Sequence, residues 1–230
     1  VRDKVPVESG LRPTTVSSPT VLHCHLIEAL NSSREQEAIE LVLIGGCSRS
    51  GKSYLAGQLK KLLEESGFNV IIAKLDAWLV GKERRRPGSN VLQRYETERI
   101  VSSITDLLNG VPVCPPVYDV GTRERLAEEQ DSPLQITTGI VILEGVVALA
   151  IPELLGRASF RVFVDVPDTV RRERLAGFYL NLKNVPQDEF LAMMDERENE
   201  EVPFIKSSRW NADVVYSQAQ DFHSHKKRVD

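Results

Sequence analysis

At 230 residues, 41% hydrophobic and 27% charged, the chain can bury one full domain but not two, and its composition excludes a disordered or fibrous protein. A formal net charge of −4 gives no broad positive surface, so nucleic acid is not expected as a partner. No apolar run reaches bilayer length and the N-terminus lacks a signal-peptide pattern, so no membrane partner and a cytosolic protein are expected.

In chain order, residues 1–37 read as an N-terminal linker or extension, with Pro6, Pro13 and Pro19 among Ser and Thr and no apolar periodicity. The chain begins with Val1 and not Met, as a fragment or processed form would. Leu22–Leu30 reads as a short helix. Its His23-Cys24-His25 has too few companions to hold a metal. Cys24, Cys47 and Cys114 lack CxxC spacing and read as reduced thiols. A domain over 38–216 opens with the apolar strand Ile39–Ile44, which runs through glycines into a helix from Lys52 to Glu65 that ends at Gly67. Then follow a strand at Val70–Ala73, a helix at Glu96–Asn109, strands at Ile140–Leu143 and Phe160–Asp165, and a helix opened by Pro167. A charged helix at Gln187–Glu200, a last strand at Ala212–Tyr216 and a polar tail over 217–230 complete the chain. Continuous apolar strands alternating with helices predict an α/β fold with a doubly wound, mostly parallel sheet covered on both faces.

Gly46, Cys47, Ser48, Arg49, Ser50, Gly51, Lys52 and Ser53 satisfy G-x-x-x-x-G-K-[ST] in full, between a strand and a helix, with Tyr54 next. Glycines let the backbone curl so that N–H groups point at phosphates, Lys52 offsets their charge, and the Ser53 hydroxyl can ligate Mg²⁺. ATP with Mg²⁺ is the expected cofactor pair. The N-K-x-D of guanine-specific GTPases is absent, and the strand Ile140–Leu143 ends in Glu144-Gly145 and not in the acidic pair of large ATPases. A compact kinase acting on a small molecule is favoured. The other reading kept open is a regulatory nucleotide-binding module without turnover. Asp76 and Glu144 each follow an apolar strand, at the edge where open α/β sheets hold ligands. Asp76 is the candidate base for an acceptor hydroxyl, and Glu144 the candidate second holder of the metal, through water.

Several segments after the loop resemble, in order, the uridine kinase and phosphoribulokinase family of P-loop kinases, over roughly Glu40–Tyr216. They are Leu75-Asp76, Gly110–Asp119 (GVPVCPPVYD), Val141–Gly145 (VILEG), Arg161–Arg174 (RVFVDVPDTVRRER) and Val202–Val215 (VPFIKSSRWNADVV). The resemblance implies a P-loop NTPase core with a mobile helical lid, Asp76 as the base, Lys52 and the lid's Arg174 as further catalytic groups, and an acceptor loop at Tyr118 and Asp119. Asn90 stands where that family's ribose-binding Asp falls. The chain departs from the nucleoside-specific pattern at Val120 and Arg123, and the lid's expected Arg-Asp pair reads Phe178-Tyr179. The run Arg84–Arg86 reads either as a solvated basic loop or, with Arg94, Arg123 and Arg125, as a face for an anionic acceptor. Nucleoside, sugar and sugar phosphate all remain acceptor candidates, with a polar or phosphorylated sugar favoured over a free pyrimidine nucleoside. Self-association as a homo-oligomer is open.

Overall fold

The computed structural model describes residues 12–32, 38–85, 90–119, 124–129 and 132–218. A short strand β1 (Thr14–Val16) and helix α1 (Pro19–Ser32) precede the central strand β2 (Ile39–Gly45), helix α2 (Lys52–Glu65) and strand β3 (Val70–Lys74). Helix α3 (Thr97–Leu108) leads to an antiparallel pair, β4 (Pro116–Asp119) and β5 (Glu124–Glu129). Strand β6 (Gly139–Glu144), helix α4 (Pro152–Leu155) and strand β7 (Phe160–Asp165) return to the sheet. Helices α5 (Asp168–Ala176), α6 (Gln187–Glu196) and α7 (Val202–Ser207) form the lid region and its return before strand β8 (Val214–Ser217).

The main sheet runs β1-β8-β7-β2-β6-β3, with all five pairings parallel. Alternate residues of each central strand bury to opposite faces, as the pleat requires. On one face Val42, Ile44, Ile140, Ile142, Val162 and Val164 meet Leu55, Leu59 and Leu63 of α2. On the other, Leu41, Leu43, Val141, Leu143 and Phe163 meet Ile100, Ile104 and Leu107 of α3 together with Trp78. Two apolar faces on each strand explain why the strands read as unbroken hydrophobic runs. The doubly wound parallel fold expected from the sequence is the one observed.

The short helix expected at Leu22–Leu30 is observed as α1, while the linker or extension reading needs correcting for 14–32 because these residues join the domain. Strand β1 adds to the sheet edge in register with Val214–Tyr216, and Leu22, Leu26 and Leu30 of α1 join the core under α2. Their i, i+4, i+8 spacing is one helix face. Leu26→Ala is therefore expected to lower unfolding free energy by about 2–4 kcal/mol, as for other fully buried leucines. Denaturant titration checks this, and a loss near zero would restore the linker reading.

Three smaller boundaries also move. The last strand includes Ser217, paired with Asp165, so the tail begins later than 217. Tyr118 and Asp119 lie on β4 and not in a loop. The helix expected over Gln187–Glu200 gives way at Arg197 to a wider π-helical turn, Arg197–Glu201.

Candidate active site

Strand register sets the site. Ile44, Glu144 and Lys74 form one row across β2, β6 and β3. Just beyond this row β2 enters the phosphate loop, β6 turns at Gly145, and β3 bends into a single 3-10 turn, Leu75–Trp78, that carries Asp76. Gly145 permits that convergence, because a Cβ there would lie 2.5 Å from Leu75 Cβ.

The loop itself is held in a left-handed bend. Gly46 has φ +139° and lies so close to Val164 that a Cβ would meet its carbonyl oxygen at 2.5 Å, while Arg49 has φ +63°. Successive left- and right-handed residues turn backbone N–H groups inward, the concavity that suits an anion. Gly51 precedes α2 without a side-chain cap, so orphan N–H groups at the helix start face the same way. Lys52 is buried and donates from Nζ to the Cys47 carbonyl at 2.8 Å. Burial pulls its pKa down, against the opposing pull of Glu144 and then Asp76. Burial likewise raises the Cys47 thiol to about 11, which keeps it a neutral, inert wall of the loop. Ser53 Oγ donates to Glu144 Oε1 at 2.7 Å. Burial raises the carboxyl of Glu144, opposed by that hydrogen bond and by Lys52.

A cleft of about 910 Å³ opens over these groups. Asp76, Tyr118, Arg174 and most of the loop line it together, including the exposed Tyr54. Arg174 donates to the Arg49 carbonyl at 3.1 Å and to Gln218 Oε1 at 3.2 Å, which joins the lid to the phosphate loop. The other two arginines of α5 serve the lid's own structure: Arg171 is buried and engaged by Asp168 and Glu198, and the exposed Arg172 also pairs with Glu198.

Two residues expected on the acceptor side lie outside the cleft lining. Asn90 does not line the cleft; its Oδ1 accepts the Gln93 N–H at 3.0 Å and Gln93 Oε1 returns a bond to the Asn90 N–H at 3.0 Å, which caps the turn Leu92–Arg94. Arg125, on β5, is paired with Glu96 outside the cleft lining. A short polar side chain and a long basic one both found local partners, which residue type alone did not reveal. Arg123 lies outside the described residues, as does Arg86. Of the basic run, Arg84 is exposed, while Arg85 enters the cleft and donates to Val80 O at 2.9 Å and to the Tyr118 hydroxyl at 2.8 Å.

The cleft also gathers residues that the sequence reading passed over. Tyr95 is buried beside Asp76, and its phenol is pushed well above the usual range by burial, then by Asp76 and Glu201. Phe178 and Tyr179, standing where an Arg-Asp pair was expected, have their own cationic partners. The Arg49 guanidinium lies 3.5 Å over the Phe178 ring, and Arg197 Nη2 donates to the Tyr179 hydroxyl at 3.0 Å. The missing lid arginine was the available signal that a cation from elsewhere would be needed.

A phosphate loop closing the central strand of this parallel sheet, with a helical lid above it, defines the P-loop kinase fold. No family model matches the chain. It is 26% identical over 147 residues to a uridine kinase of Ligilactobacillus salivarius (strain UCC118), covering 61% of the chain and 66% of that protein. It is 23% identical over 194 residues to a uridine kinase of Listeria innocua serovar 6a, covering 80% and 88%. The chain thus spans slightly under two thirds of the length of the first of these and 62% of a Leuconostoc citreum uridine kinase. In fold it is similar to a candidate fructose transport system kinase from Silicibacter sp. TM1040, with a TM-score of 0.72, 18% identity, and coverage of 87% and 100%. Sequence and fold together bear out the resemblance to the uridine kinase and phosphoribulokinase family of P-loop kinases. Among the described residues no helix is long and apolar enough to cross a membrane.

Proposed function

We propose that the chain transfers the γ-phosphoryl group of ATP, with Mg²⁺, to a hydroxyl of a small molecule such as a nucleoside, a sugar or a sugar phosphate. The observation that supports this most is the placement of the Ser53–Glu144 pair and the Asp76 carboxylate on one cleft, at the ends of adjacent strands. The residues present suit a nucleotide's phosphates. Ser50 Oγ is buried with no hydrogen-bond partner among the described residues, Lys52 is buried in the same loop, and a Cβ on Gly46 would press on Ser50 Oγ at 3.0 Å.

In this reading Lys52 and the loop N–H groups hold the β- and γ-phosphates, while Ser53 and Glu144 hold Mg²⁺. The metal, when bound, supplies charge neutralisation to the phosphates. Asp76 orients the acceptor hydroxyl and takes its proton as that oxygen bonds to the γ-phosphorus and the bond to the β,γ-bridging oxygen breaks, ADP leaving. Arg174, tied to the loop at Arg49, lies over the transferring group and keeps water from competing. The names of the relatives put uridine among the acceptors to test.

The second reading, a nucleotide-binding module without turnover, draws on the withdrawal of Asn90 and Arg125 from the cleft. Measuring ADP formed from ATP and Mg²⁺ with a panel of nucleosides, sugars and sugar phosphates separates the two. Acceptor-dependent ADP is the expected result. Nucleotide binding with no acceptor-dependent turnover would favour the module.

A further inference from the structure

Arg197 opens the π-helical turn after α6 and lines the cleft with a side chain only 14% exposed. Nη2 is committed to the Tyr179 hydroxyl. Nη1 is buried and meets no hydrogen-bond acceptor among the described residues; Glu201 Oε1 stands 3.8 Å away, beyond hydrogen-bond reach. Glu201 is itself divided, since its other oxygen lies 3.8 Å from Arg94 Nη1. Arg94 is already taken by Glu196 at 2.8 Å and Glu200 at 3.0 Å. Arg94 is thus hydrogen-bonded to the lid's carboxylates, whereas Arg197 has only the longer ion pair to Glu201 and a buried Nη1 without a hydrogen bond among the described residues. π-helical turns shift the register of a helix and are frequent at ligand sites, where they re-aim one side chain.

We propose that Arg197 recognises the acceptor through an anionic group, a phosphate or carboxylate carried by the molecule that receives the phosphoryl group. The proposal rests on the phosphotransfer reading of this cleft. A guanidinium fork with a spare N–H matches the paired oxygens of such a group, and no neutral hydroxyl offers both charge and a second acceptor. Position agrees. Asp76 and Arg197 line the same cleft, so a hydroxyl poised at Asp76 and an anion held at Arg197 can belong to one molecule. Arg85, in the same half of the cleft, adds positive charge, while Glu196 is half exposed and leaves much of its charge to water. The lid packs through a separate apolar cluster of Leu175, Phe190 and Met194. Turning the Arg197 side chain away from Glu201, which stands 3.8 Å off, would present Nη1 to the anion.

The test uses the full chain with ATP and Mg²⁺ and acceptors paired by charge: D-glycerate with glycerol, fructose 6-phosphate with fructose, ribose 5-phosphate with ribose, and uridine as a neutral nucleoside. The expected result is a kcat/KM at least about tenfold higher for a charged member than for its neutral partner. The glycerate and sugar phosphate arms then tell carboxylate from phosphate. Arg197→Gln should remove that preference by raising the acceptor KM about tenfold or more, with the ATP KM changed by less than about threefold, and Arg197→Lys should restore part of it. Equal rates within every pair, uridine as the best acceptor, or an equal fall in kcat on charged and neutral acceptors in Arg197→Gln would each overturn the proposal while leaving the kinase reading in place. If nothing is turned over, thermal stabilisation by the same compounds is read on the chain saturated with a non-hydrolysable ATP analogue. Stabilisation by charged members alone, lost in Arg197→Gln, would uphold the anion site and count against phosphotransfer. No stabilisation by any charged member would overturn the site itself.

Discussion

Lys52→Ala is expected to reduce acceptor-dependent ADP formation by about 10²–10³-fold, the range seen when a single preorganised donor to developing charge is removed. Lys52 is the buried lysine of the loop, its ammonium donates to the Cys47 carbonyl, and in the proposed reaction it contacts the phosphates. Arg49 does not replace it, because that guanidinium is stacked over Phe178. Stability should move far less than activity. Burial already works against the charged ammonium, and its removal leaves the Cys47 carbonyl without that partner and Glu144 without one of the charges that favour its carboxylate, a loss of about 1–3 kcal/mol. Steady-state turnover beside a thermal melt checks both halves. Turnover within about threefold of the unsubstituted chain would mean that this loop does not carry the phosphates.

Asp76→Asn is expected to lower kcat by about 10²–10⁴-fold, the usual contribution of a positioned base, with ATP binding nearly unchanged. The side chain is exposed to the cleft and nearly isosteric with Asn, so the fold should tolerate the change within about 0.5 kcal/mol. What is lost is the capacity to accept a proton, since Asn can still hydrogen-bond the acceptor hydroxyl. The diagnostic is a fall in kcat with little change in either KM. A fall in ATP affinity of the same size would place Asp76 on the nucleotide side, and an unchanged kcat would move the base elsewhere.

The chemistry of the phosphate end was legible in the sequence because it depends on contiguous residues. Eight neighbours from Gly46 to Ser53, bracketed by an apolar strand and an amphipathic helix, carry their geometry with them. Asp76 and Glu144 were legible for a related reason: each ends an apolar run, and parallel strands of similar length bring their ends to one edge. The resemblance at separated segments rested on the same elements.

The rest of the cleft is built from side chains far apart in the chain, and there residue type was a poor guide. Asn90 turned to cap its own turn, and Arg125 found Glu96, because a short amide and a long guanidinium take the nearest partner that saves a buried charge or an orphan N–H. Arg94 is bound by three glutamates about a hundred residues away, while Arg197 was left with an open donor by a local change of helical register. The helix over Leu22–Leu30 was legible, but the strand at 14–16 was read as linker since β1 has only three residues and gains its meaning from pairing with β8 at the far end of the chain. Local spacing by itself determined the loop, the strands and the two edge carboxylates. Which arginines face the cleft, and whether the N-terminal segment belongs to the core, were decided only by long-range pairing, because ion pairs and sheet edges are chosen in space.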